Sequence, residues 1–235
     1  MKRIFYLIII SYIISVSGCQ LDSVNAPIYS GEFEVKGVIE QWNQPYNNIK
    51  LTTYTPYYPF KYVIATGIIE SDGFFTVKTY SPPVELTNLL AFPEYGGNCN
   101  SQLTTNTDSI RYLETFLEVY DNTGISKGVV VKRNFTEQIV NGSFFSYYCW
   151  FNKKGIANGR QVCHNGPDST VYSISIDQNG KWVLLSGIYE LVGTGSQSFL
   201  TTTNEPQGAL WYFEPYDSPD RLHKKLFFLK DITLF

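Results

Sequence analysis

The residues that could do chemistry are two histidines, His164 and His223, four cysteines and a scatter of carboxylates. Neither His-Glu-x-x-His nor Gly-x-Ser-x-Gly occurs, so the zinc-hydrolase and nucleophile-elbow arrangements are missing from the sequence. Cys163 and His164 are adjacent, and adjacent residues of a strand point to opposite faces, so they do not form a thiolate pair. Gly193-Thr194-Gly195-Ser196-Gln197-Ser198 has the small residues of a phosphate loop but no lysine and no helix signal after it. Asp177-Gln178-Asn179-Gly180 begins like a calcium loop, yet the twelfth position is Ile188, where an acid is needed. Glu114, Glu118, Asp177, Glu190 and Glu214 are available for a glycosidase pair, and their spacing singles out no two of them. The sequence therefore proposes no catalytic residue, no metal site and no cofactor.

Cys19 stands in a different context. Lys2 and Arg3 precede an apolar stretch, residues 4–16, in which only Ser11 and Ser15 are small and polar. At 1.5 Å per residue that stretch spans roughly 20 Å, short of the ~30 Å bilayer core, and reads as a signal peptide. Val16-Ser17-Gly18-Cys19 then resembles the bacterial lipobox. The resemblance implies a signal peptide over 1–18, cleavage before Cys19 and a diacylglyceryl thioether on that cysteine. The partner so implied is a membrane, reached through lipid, with two or more chains needed for stable anchoring. Gln20, in place of Asp, points to the outer rather than the inner membrane, and residues 19–30 read as a polar tether.

With Cys19 taken by lipid, Cys99, Cys149 and Cys163 remain, an odd number for an oxidising compartment. Cys149 and Cys163 flank the turn-rich segment 152–159. A hairpin centred near Ile156 would set them opposite one another, and a disulfide Cys149–Cys163 is expected. Cys99 is then free or competes as the partner; buried, reduced thiols are the alternative. No two cysteines have the two-residue spacing of a structural zinc site.

The elements that must carry these residues are strands. Short alternating runs broken by Gly, Pro, Asn and Asp dominate, and 16% of residues are aromatic against 17% charged. The expected fold is all-β, with two β-sandwich domains of Ig-like or transthyretin-like type at 31–120 and 125–235, divided by the turn at 121–124. Residues 94–108 read as a long loop. Asn179-Gly180 reads as a hairpin between strands near 171–177 and 181–190, and residues 226–235 as an edge or final strand. Two stretches, Val35-Lys36-Gly37-Val38-Ile39 with Asn48-Ile49-Lys50-Leu51-Thr52, and residues 65–77 with their Asp72-Gly73 turn, resemble a transthyretin-like or carboxypeptidase-regulatory-like domain. Such domains are accessory modules, so the resemblance implies no catalytic residue. The C-terminal half resembles uncharacterised bacterial lipoproteins and brings no activity with it.

Tyr54, Tyr57, Tyr58, Phe60 and Tyr62 surround two prolines and form the candidate binding surface, with Trp42 and Trp150 as further rings. Exposed aromatics stack on sugars or anchor protein partners; packed in a core or between domains they do neither. Without Lys2 and Arg3 the net charge falls from −3 to −5, nothing in it suggests a nucleic-acid partner, and no basic cluster exceeds Lys153-Lys154 or His223-Lys224-Lys225. The expected function is a lipid-anchored, non-enzymatic envelope protein with a structural or interaction role, its partner an envelope protein or a glycan. A carbohydrate-binding accessory lipoprotein and a glycoside hydrolase are the alternatives.

Overall fold

The computed structural model describes residues 33–54, 61–91, 98–136, 138–192 and 196–216. Cys19, the signal peptide, the tether, Tyr57, Tyr58, Phe60 and residues 226–235 lie outside them. Among the described residues, fifteen strands form one mixed sheet. The first eight are β1 Phe33–Val38, β2 Asn48–Tyr54, β3 Lys61–Ile69, β4 Phe74–Thr79, β5 Asn88–Leu89, β6 Asn98–Thr105, β7 Arg111–Glu114 and β8 Phe116–Tyr120. The rest are β9 Ser126–Arg133, β10 Phe144–Phe151, β11 Gly155–Asn165, β12 Asp168–Gln178, β13 Lys181–Leu191, β14 Ser196–Thr202 and β15 Leu210–Pro215.

The first lobe runs β1-β4-β3-β2-β8-β9, with β15 on the other edge of β9. Its alternating strands turn Val35, Ile49, Leu51, Phe75, Val77 and Val119 inward, all fully buried. Asp72 and Gly73 make the β3–β4 turn: Gly73 takes a φ of +87°, which favours glycine, and the Asp72 carboxylate accepts from Phe74 N–H at 2.9 Å. The sheet then rolls until β1 meets β15. Ile39 and Trp211 form a parallel bridge, and Glu40 N–H donates to Trp211 C=O at 2.8 Å. The Trp211 ring packs edge-on against Phe75, over Gly37, where a Cβ would stand 2.3 Å from the indole nitrogen.

The second lobe begins where the strand 111–120 splits. Thr115 leaves the ladder, its N–H and hydroxyl both donating to Tyr148 C=O, at 3.1 and 2.8 Å. β7, before it, pairs with β10, and β8, after it, pairs with β9 and β2. From β10 the sheet continues through β13 and β14, then back through β12, β11 and β6. Cys149, Phe151, Tyr112 and Leu185 of one layer pack against Ile174, Ile176 and Ala157 of the other.

All-β architecture agrees with the sequence; the loop expected at 94–108 and the Asn179-Gly180 hairpin are corrected, and the expected division into two sandwiches stands beside one continuous sheet. Residues 121–124 form the turn of a β8–β9 hairpin inside the continuous sheet, and β9 and β15 complete the first lobe's core. Residues 98–105, within the expected loop, form β6; pairing only with β11 among the described residues, it needs no apolar alternation, and its Asn, Ser, Gln and Thr residues suffice. Asn179-Gly180 turns the chain, but β14 lies between β12 and β13, so no hairpin forms there. Turn chemistry sets a local reversal; it does not choose the neighbour. The tight hairpin is at Gly166-Pro167, between β11 and β12.

Candidate functional site

Within β7 and β10, alternation puts Tyr112, Glu114, Tyr147, Cys149 and Phe151 on one face of the sheet. In the antiparallel register Glu114 stands opposite Cys149, and Tyr112 opposite Phe151. The face looks into the space between the two layers of the second lobe. Tyr112 and Cys149 are each 1% exposed, while Glu114 and Tyr147 are half-buried. From the other layer Ala157, Ile174, Ile176 and Leu103 join this cluster, with buried Gln161 further along β11.

Such surroundings disfavour charge. Burial pushes the Glu114 carboxyl up to about 8. Burial, then the Glu114 charge, raises the Cys149 thiol well above its ordinary value, and the same two causes act on Tyr112 and Tyr147. A thiol held protonated is inert, so Cys149 is not a nucleophile. The Tyr112 hydroxyl is buried without a hydrogen-bond partner, and Glu114 has neither an ion pair nor a side-chain hydrogen bond among the described residues.

The other buried carboxylates are paired. Glu118, 1% exposed, takes Lys61 Nζ at 2.7 Å, the Tyr120 hydroxyl at 2.7 Å, the Tyr216 hydroxyl at 3.2 Å and the Ser126 hydroxyl at 3.3 Å. Glu214 lies 2.8 Å from Arg133 Nε, and Arg133 also donates to the carbonyls of Phe135 and Thr136. Burial raises the Glu214 carboxyl and Arg133 opposes the rise. Asp177 and Glu190 are exposed, and Glu190 accepts from the Ser198 hydroxyl at 3.0 Å. Glu114 and Glu118 lie on different strands, β7 and β8, in different surroundings, so they do not act as one carboxylate pair.

The expected disulfide Cys149–Cys163 is replaced by Cys99–Cys163, and Cys149 is free. The reason is topological: β11 runs unbroken through Ile156, β10 and β11 do not pair, and β6 brings Cys99 directly opposite Cys163. His164 is exposed and Cys163 buried, as strand alternation requires. Of the candidate aromatics, Tyr62 on β3 is 49% exposed and Tyr54 ends β2. Trp42 is half-buried, edge-on to Phe213 at 5.4 Å. Trp150 lies in the first core, a correction to its reading as a surface ring. The Glu114 cluster is absent from the sequence-based candidates as a group. Its signal was two acids of equal parity, Glu114 and Glu118, in the run 113–120, whose other residues are apolar or aromatic except Thr115.

No protein-family model matches the chain, and no curated protein or solved structure is similar to it.

Proposed function

We propose that this chain is a lipid-anchored protein of the bacterial cell envelope whose β-rich body has a non-catalytic interaction or structural role. The observation that carries this reading is the Cys99–Cys163 disulfide across β6 and β11, a bond that persists in oxidising compartments outside the cytoplasm. It joins a chain whose opening resembles a lipobox at Val16-Ser17-Gly18-Cys19. The ion pairs Lys61–Glu118 and Arg133–Glu214 support the non-catalytic part, since they occupy buried charges with one another. On this reading the first lobe is the transthyretin-like unit, completed by β9 and β15. Cys19 precedes Phe33 by fourteen residues, which reach at most about 50 Å, so the body works close to its membrane.

Fractionation of cells expressing the wild-type chain and Cys19→Ala tests this. The wild type should enter the membrane fraction and leave it only with detergent, while Cys19→Ala accumulates as uncleaved precursor. Identical behaviour of the two proteins would contradict the proposal. One observation favours the carbohydrate-binding alternative, the half-exposed Tyr62 ring, and a glycan array lost in Tyr62→Ala would support it.

A further inference from the structure

We propose that the space between the two layers of the second lobe, at Glu114, binds a small organic cation bearing a primary ammonium group. Glu114 is its counter-ion, and Tyr112 and Tyr147 supply a hydrogen-bonding hydroxyl and aromatic faces.

Three observations meet here. The Tyr112 hydroxyl is buried and unpartnered, a state that is rare in a folded protein and that a bound group would explain. Glu114, on the same strand and face, has no cationic or hydrogen-bonding side chain, whereas Glu118 and Glu214 have lysine and arginine. Glu114 is also half-buried rather than sealed, so a ligand can reach it from solvent. The titratable groups facing it are Tyr112 from β7 and Tyr147 and Cys149 from β10, and the inward residues of the layer opposite, Ala157, Gln161, Ile174 and Ile176, carry no charge.

The chemistry of these groups selects the ligand. An ionised carboxylate only accepts hydrogen bonds, and an anion would add repulsion to its desolvation. A primary ammonium supplies positive charge to Glu114, donates to the Tyr112 oxygen and attracts the electron-rich faces of the two rings. Its arrival makes ionised Glu114 favourable, so binding near neutrality displaces the carboxyl proton, a group otherwise protonated there because burial raises it to about 8.

Titration calorimetry with ethanolamine tests the proposal on the detergent-solubilised full chain at pH 7, in two buffers of different ionisation enthalpy. The expected result is saturable binding with release of close to one proton, tightening as pH rises from 6 to 8. Glu114→Gln, which keeps the shape of the protonated side chain, should fold, weaken binding at least tenfold and release no proton. Tyr112→Phe should weaken it several-fold. Absence of saturable binding, or binding that Glu114→Gln leaves unchanged in affinity and proton release, would overturn the proposal.

Discussion

Cys149 and Glu114 stand opposite one another across the β7–β10 ladder, on a face turned into the second lobe. One register pair thus sets an unpaired thiol beside an unpaired carboxyl, and apolar surroundings favour the protonated form of both. The same ladder explains why Cys149 has no disulfide, for its cross-strand neighbours are Glu114 and Val183.

Because the folded Glu114 carboxyl is raised from 4.5 to about 8, the folded protein binds its proton more tightly than the unfolded chain does. That stability is fully present below about pH 4.5 and is lost as pH rises towards 8, with a slope approaching about 1.4 kcal/mol per unit. Urea unfolding from pH 5 to pH 8 should show the decline, and Glu114→Gln should flatten it. An equal decline in the variant would refute the assignment.

Non-reducing peptide mapping should link Cys99 to Cys163 and leave Cys149 alkylatable only after unfolding. The bond spans 64 residues, so Cys163→Ser should cost about 4 kcal/mol in the chain-entropy account. Cys149→Ala should leave the linkage intact.

Lys61→Met leaves the Glu118 charge buried without its cation, and about 3–5 kcal/mol of stability should be lost. The double variant Lys61→Met, Glu118→Leu should recover most of that, as a double-mutant cycle by denaturant unfolding would show.

Trp211 belongs to β15 yet fills the first lobe's core against Gly37 and Phe75. Trp211→Ala should cost about 3–5 kcal/mol. A fragment of residues 31–120, deprived of β9 and β15, should fail to give a cooperative thermal transition.

What could be read in the sequence was local. Asp72-Gly73 turned as its chemistry requires, and the alternation of 33–38 and 48–54 marked strands whose inward residues are the core. What could not be read was non-local pairing. The chain from β10 to β11 and from β12 to β13 reverses without pairing, so turn residues at 152–159 and 179–180 gave no information on neighbours. Cys99 lay in a polar run whose strand character comes only from its pairing with β11. Glu114 became notable through Cys149, 35 positions away, and that contact appears only once the register is known.

Mass spectrometry of the N-terminal peptide of the protein purified from membranes tests the central claim most directly. The expected result is a mature chain beginning at Cys19, carrying a diacylglyceryl thioether and lacking residues 1–18. A chain that retains those residues, or one with an unmodified Cys19, would contradict it.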